Sequence, residues 1–278
     1  MGTVQAIYTY PLKSGAGSAV DTCAVEALGL LGDRRWMLVD PAGRFVTGRV
    51  LGGLVSLHAD KHADGLRLSW RDGSVRTAHP DFHAAPLRVQ VWRDLVWALP
   101  VQPQIDAWLS EMFSRPLRLV YQADPESRPL TREDLTGHVS LADGYPLLLT
   151  SVASLAALVR SVGRPLDMRR FRPNLVVDGG APYAEDDWQR IRIGDVVFRV
   201  VSRCSRCIFT TVDPDTGERD AAREPLATLE RERQFAEGAC FGVNLLPELA
   251  PHGRSVEIGG DTPIIRIGDR LSVLEQSL

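Results

Sequence analysis

What the sequence lacks narrows the field first. Its longest apolar runs, such as residues 146–149, are far too short to cross a bilayer. The opening Met1-Gly2-Thr3-Val4-Gln5-Ala6-Ile7-Tyr8 has neither the basic flank nor the long apolar stretch of a signal peptide. Charge of one sign is missing too: 32 Lys and Arg stand against 35 Asp and Glu, a net charge of −3. No general basic field invites a nucleic acid, so an anion site must be built from a few local cations. The expected setting is the cytoplasm, with neither membrane nor nucleic acid as partner. Cysteine is scarce, and the four present (Cys23, Cys204, Cys207 and Cys240) are expected as thiols in that compartment. Two of them lie far from the others in sequence, which leaves a four-cysteine zinc or iron–sulfur site little support. The six histidines show no HExxH or other paired metal spacing. Internal repeats and low-complexity segments are absent.

What is present is a chain of 278 residues with 44% hydrophobic and 24% charged content, enough for one large domain or two moderate ones. The first hundred residues read as strands. Val4 leads a β-rich run into Tyr10-Pro11-Leu12-Lys13-Ser14 and a Gly15-Ala16-Gly17 loop. Residues 35–39 and 44–47 flank an Asp40-Pro41-Ala42-Gly43 turn, residues 66–70 alternate apolar with polar, and residues 87–99 continue the pattern. Helices are expected at Pro103–Met112, from the Ser151–Ser154 region to about Val162, and at residues 224–235. Strand pairs are expected at 191–201 and 264–274. The fold class read from this is α+β, mainly β. The polar loop at residues 123–138, with Pro125 and Pro129, is the candidate boundary between a lobe of residues 1–122 and one of residues 123–278.

The most informative stretch is Cys204-Ser205-Arg206-Cys207-Ile208-Phe209-Thr210-Thr211-Val212-Asp213-Pro214-Asp215-Thr216-Gly217. A thiolate is a soft ligand for molybdenum, zinc, copper or iron. CxxC alone also marks zinc knuckles, redox disulfides or two ordinary buried thiols, and the spacing does not decide among them. Arg203 and Arg206 add positive charge beside the sulfurs and can hold a phosphate. Lys13 and Ser14, at a strand end before glycines, can offer an ammonium, a hydroxyl and backbone N–H groups to an anion; a solvated lysine is the plainer reading. Arg34 in Asp33-Arg34-Arg35-Trp36, and Arg172 with Asn174 in Phe171-Arg172-Pro173-Asn174, add polar groups next to strands, where an ion pair with Asp33 or Asp178 is the alternative. Asp143-Gly144-Tyr145-Pro146 precedes a buried-looking strand, and its glycine either lets the backbone approach a ligand or simply makes a tight turn.

Taken together, YPLKS, GDRRW, RFVTGR, DGYPLLLT, FRPNLVV, YAEDDW, IGD, CSRCIFTTVDPDTG, EPLATL and FGVNL resemble, in content and order, the MOSC family, named for the C-terminal domain of molybdenum-cofactor sulfurase. Within that family the likeness is to the branch of mitochondrial amidoxime-reducing components and their bacterial relatives. The resemblance covers nearly the whole chain. It implies a MOSC N-terminal β-barrel lobe followed by a MOSC domain, itself a β-barrel with flanking helices. It further implies a molybdenum cofactor (molybdopterin with Mo) whose protein ligand is Cys207. Lys13, Ser14, Arg34, Arg172, Asn174, Ser205 and Arg206 would hold the pterin and its phosphate, Asp143, Gly144 and Tyr145 would line the cofactor, and Asp143 would be catalytic beside Cys207. Two departures from the family pattern stand out: Gly144 and Tyr145 replace small hydroxyl residues, and Val152 stands where relatives tend to carry an acid.

The activity implied is reduction of small N-hydroxylated compounds, with electrons from a separate donor protein, because the chain carries no ferredoxin-like domain. The alternative is a non-catalytic carrier of sulfur or molybdenum cofactor that uses a Cys207 persulfide. A zinc-binding or purely structural CxxC domain is the third reading.

Overall fold

The structure is a computed structural model that describes residues 2–130, 132, 134–249 and 262–277. Runs of β-branched and aromatic residues broken by turn residues set its character. β1 (Gly2–Thr9) leads into the loop of residues 10–17, and β2 (Ser18–Val20), β3 (Thr22–Glu26), β4 (Gly29–Leu30) and β5 (Trp36–Val39) follow. β6 (His58–His62), β7 (Gly65–Ser69) and β8 (Val75–Ala78) form an antiparallel meander, and β9 (Leu87–Val91) pairs with β10 (Asp94–Pro100). α1 (Pro103–Met112) starts on a proline, whose missing N–H costs nothing in a first turn, and returns the chain to β11 (Arg118–Tyr121).

The second half opens with β12 (Leu147–Ser151), which runs straight into α2 (Val152–Val162). Ser151 caps that helix by accepting the Ser154 N–H, and Gly163 ends it in the left-handed conformation at φ 79°. β13 (Leu175–Val177), β14 (Trp188–Ile193), β15 (Val196–Ser205), α3 (Leu226–Glu232), β16 (Gln234–Phe235), β17 (Gly238–Pro247), β18 (Ile264–Arg266) and β19 (Arg270–Gln276) complete the elements. With three α-helices among the described residues, the protein is α+β and mainly β. None of those helices is long and apolar enough to cross a membrane.

Seven strands close on themselves in the order β12-β13-β1-β19-β14-β15-β17, with β17 pairing back to β12. Only β12 and β13 run parallel, and α2 lies in the crossover between them. The barrel interior is filled by Val4, Ile7, Leu149, Leu175, Ile191, Phe198, Val243 and Leu245, each fully buried. β1 comes from the start of the chain, yet it lies between β13 and β19 from its second half. This placement brings the loop after β1 beside loops far away in sequence. β3 and β4 send Val25 and Leu30 into this barrel core, whereas β5–β8, α1 and β11 pack around a second core at Leu38, Leu54, Leu66, Leu109 and Leu119, and β9 and β10 around a third at Val89, Val91 and Val96.

Two local expectations fail. The helix expected at residues 224–235 stops at Glu232, because Gln234 and Phe235 pair instead with Ala239 and Gly238 of β17. Residues 44–47 make isolated bridges rather than a strand, Val39 with Phe45 and Arg44 with Gln90. In both places tertiary pairing overrides a local pattern. The barrel core supplies a stability test: Phe198→Ala removes a fully buried ring and should cost about 3–5 kcal/mol, measured by urea unfolding. A loss below about 1 kcal/mol would mean that the closed barrel does not carry the fold.

Candidate functional site

Loops from distant parts of the chain converge at one site. They are residues 10–17 after β1, residues 141–145 before β12, residues 206–211 after β15, and the stretch around Thr47–Arg49 with the β9–β10 turn. Cys207 sits on a braced turn. The Arg206 N–H donates to the Ala239 carbonyl at 2.7 Å, and the Cys207 carbonyl accepts from both the backbone N–H and the hydroxyl of Thr210 at 3.0 Å. The β-branched run that follows is a 3₁₀ turn, Ile208–Thr211, with Cys207 as its N-terminal cap residue in extended geometry. The thiol is half-buried. Arg49 Nε donates to its Sγ at 3.1 Å, and the same guanidinium reaches Asp143 Oδ2 at 3.0 Å and stacks 4.4 Å from the Trp92 ring.

Asp143 is the junction. Its Oδ1 also accepts from Lys13 Nζ at 2.5 Å and from Trp92 Nε1 at 3.2 Å, while 57% of its side chain stays open to solvent. Burial alone would raise its pKa, but Lys13 and Arg49 outweigh that and hold the carboxyl well below the usual range. Lys13 itself is buried and also donates to the Leu141 carbonyl at 2.7 Å. Burial pushes its ammonium down to about 8, against the opposing pull of Asp143. Arg128, also buried, fixes this loop by donating to the carbonyls of Ser140, Ala142 and Asp143.

Beside this cluster lies a cradle of cations. Arg34 and Arg172 place their guanidiniums 4.4 and 4.2 Å from the Tyr10 ring. Arg34 pairs with Asp33 and donates to Asn174 Oδ1 at 3.0 Å and to the Arg172 carbonyl at 3.1 Å. Arg172 Nη1 donates to the Gly15 carbonyl at 2.7 Å, but its Nη2 is buried without a partner, and so is the Tyr10 hydroxyl. Burial pulls the Arg172 guanidinium down to about 10. Ser14, Arg34 and Arg172 all adopt positive φ, 65°, 47° and 55°, a conformation costing of order 1–3 kcal/mol for a residue other than glycine. Such strain clusters where function demands it. An open cleft continues past Tyr10, Arg172 and Phe209 to Arg71, Arg169 and Arg170.

Other expected residues stand differently. Asn174 is buried and fully engaged, donating to the Tyr8 carbonyl and accepting from the Leu148 N–H, so it locks β1 against β12 and β13 and positions Arg34. Tyr145 turns its ring towards Leu135, Val201 and Leu246, which leaves its backbone for a ligand. Gly144 faces open space, where an added Cβ would meet nothing within 4 Å; neither packing nor a positive φ demands glycine there. Ser205 is exposed and pairs with Cys240 in the β15–β17 ladder. Arg206 donates to Cys204 Sγ at 2.9 Å and to the Phe171 carbonyl at 2.6 Å. Arg203 turns away to Asp186 and the Phe235 ring. The two sulfurs of the CxxC thus face different guanidiniums. Among the described residues no three His, Cys, Asp or Glu side chains gather to hold a metal, so the donor set does not suit structural zinc. Arg49 and Trp92 carry no local signal in the sequence beyond the RFVTGR segment; folding alone brings them here.

Comparison with known families follows the same segments. The model of the MOSC N-terminal beta barrel domain matches residues 1–116, and that of the MOSC domain matches residues 136–272. Mitochondrial amidoxime-reducing component 1 of Homo sapiens is 34% identical over 84% of this chain and 73% of its own length. The chain belongs to the MOSC family. The Mus musculus amidoxime-reducing component 1 is 31% identical over 99% of this MOSC chain and 83% of its own. Molybdenum cofactor sulfurase of Solanum lycopersicum is 28% identical over 95% of the chain, which spans only 35% of that longer relative.

The buried ammonium gives this site a testable pH signature. The folded pKa of Lys13, about 8, lies below the unfolded value of about 10.4. Between those values the unfolded chain holds the proton more tightly, so this group makes stability rise with pH from about 8 to about 10. Lys13→Met should flatten that part of the pH–stability profile measured by urea unfolding. An unchanged profile would show that Lys13 titrates as an exposed lysine.

Proposed function

We propose that this MOSC protein is a molybdenum-cofactor-dependent oxidoreductase that reduces N-hydroxylated compounds in the cytoplasm, with Cys207 as the protein ligand to the metal. The observation that carries the reading is the coincidence, in one site, of a half-buried thiol and a cation cradle with orphaned buried donors. Arg172 Nη2 and the Tyr10 hydroxyl lack partners, as groups awaiting an anion would. The residues present fit the group: a soft sulfur for the metal, and Arg172, Arg34, Lys13 and Ser14 for the phosphate of the pterin. When bound, the cofactor supplies a redox metal able to take the oxygen from an N–O bond, and electrons come from a separate donor protein. Relatives named amidoxime-reducing components, at 31–34% identity, support the same reading.

The chain's own residues would then do four things. Arg49 orients the Cys207 sulfur and Asp143 together, since one planar guanidinium serves both. Asp143, held ionised and half-exposed, accepts a hydrogen bond from an N–H or N–OH of the incoming substrate. Lys13 keeps a proton at Nζ within 2.5 Å of that carboxylate and, with its pKa lowered to about 8, can release it near neutral pH. Trp92, 40% exposed, stacks on the Arg49 guanidinium and donates to Asp143, holding both in register for the substrate.

A carrier of sulfur or cofactor is the second reading, favoured by the sulfurase relative, with Cys207 holding a persulfide. Molybdenum measured by mass spectrometry on protein from a cofactor-competent host separates the two. We expect about one atom per chain in the wild type, loss of it in Cys207→Ala, and turnover of benzamidoxime with an artificial electron donor. Loaded protein that leaves benzamidoxime untouched would remove this substrate class. A Cys207 persulfide without stoichiometric molybdenum would make the protein a carrier.

A further inference from the structure

A second cavity shares a wall with the site and has no part in the chemistry described so far. This open groove is lined by Phe45, Val46 and Val50 together with Asp40, Arg44, Gln90 and Arg115. Phe45 forms the common wall: its ring lies 4.9 Å from the Trp92 ring and 5.8 Å from Lys13 Nζ. Val50 follows Arg49, the residue that reaches Cys207, and is 76% exposed, more than any other large hydrophobic residue among those described. An apolar surface beside a polar reaction centre fits the hydrocarbon part of a small molecule rather than water.

The charges of the groove identify the far end of that molecule. Asp40 is satisfied: it accepts from the backbone of Ala42 and Arg44 and pairs with the Arg44 guanidinium. Arg115, just past the C-terminus of α1, differs. Its backbone N–H donates to the Ser110 carbonyl, but the side chain of this half-buried residue meets no acceptor, carboxylate or ring among the described residues. A guanidinium without a partner, beside an apolar floor, matches a carboxylate carried on a hydrocarbon body; its fork binds both oxygens at once.

We propose that this groove holds the body of the substrate, and that the substrate class is N-hydroxylated compounds with a carboxylate-ended apolar tail, the carboxylate resting on Arg115. The assignment rests on the reductase reading for the reacting end, but the groove can be tested without it. Two probes of matched shape are titrated into the full chain, 4-phenylbutyrate and the neutral 4-phenylbutanol, while the Val46 and Val50 methyl resonances are followed by NMR. The carboxylate should bind about tenfold more tightly than the alcohol, as one charge-assisted contact at a half-exposed site provides. That preference should vanish in Arg115→Gln and persist in Arg115→Lys, with the alcohol's affinity the same in all three proteins. Equal affinities in the wild type, or methyl resonances that do not move, would overturn the assignment. With molybdenum-loaded protein, an amidoxime bearing such a tail should show a KM about tenfold below that of benzamidoxime. Loss of benzamidoxime turnover would count against the reductase reading alone, and loss of the carboxylate preference against the groove alone.

Discussion

Asp143 gathers the site because buried cations require it. Lys13 is almost fully enclosed, and an ammonium in that position is costly to keep charged without an anion in contact. Arg49 lies against the same carboxylate, and Trp92 adds a third hydrogen bond from yet another segment. Four stretches distant in sequence are held at one point by a single carboxylate. Counting the charges at this point, Lys13 and Arg49 supply two positive groups and Asp143 one negative. The Arg128 guanidinium has its own partner in Asp94. The surplus positive charge lies on Arg49, whose Nε points at Cys207 Sγ.

The neighbouring cradle is built on the opposite principle, with cost accepted in advance. Arg34 and Arg172 stack near one tyrosine ring and both occupy left-handed backbone. Asp33 neutralises Arg34, and the Arg172 and Asn174 oxygens hold its fork in place. Arg172 is left with a buried donor unmet, and like-charge proximity to Arg34 adds to its discomfort. An arrangement of this kind supports the proposed anion site, since its donors need not be moved or dehydrated for an anion to bind. Barrel closure makes the rigidity possible. Asn174 ties β1 to β12 and β13, so the frame beneath the arginines cannot relax without opening the sheet.

Much of the fold was legible because its signals are local. α1 begins at a proline and α2 lies between a serine cap and Gly163, so their positions follow from the sequence. The local pattern carries α3 past Glu232 because residues 233–235 suit a helix locally, whereas pairing with β17 is a tertiary fact. At the site, Lys13, Arg34, Arg172, Cys207 and Asp143 could be named from the order of segments, and they do come together. The side chains' individual tasks could not be named. Asn174 faces its own barrel, Tyr145 packs away from the cleft, and Arg206 serves Cys204. Arg49 lies in the RFVTGR segment and Trp92 in no such segment, but nothing local to either announces its partner: Arg49 meets Asp143 94 residues away and Trp92 meets it 51 residues away.

The CxxC spacing invites a redox reading, which the geometry weakens from both ends. Two thiols that exchange a disulfide need their sulfurs directed at each other. Here Cys204 lies at the end of β15 with Arg206 on its sulfur, while Cys207, past the strand, has Arg49 from the other lobe. A guanidinium on each sulfur separates their electrostatic surroundings and gives each a distinct orientation. Only the second sulfur shares its guanidinium with Asp143 and borders the cradle. The pairing of a soft donor with a carboxylate on one side and unmet donors on the other supports the ligand-site proposal over a dithiol switch. It also explains how one architecture relates to both amidoxime-reducing components and cofactor sulfurases. What the fold provides is a braced cysteine beside an anion cradle; whether that sulfur holds a metal or hands on a sulfur atom is decided by the groups around it.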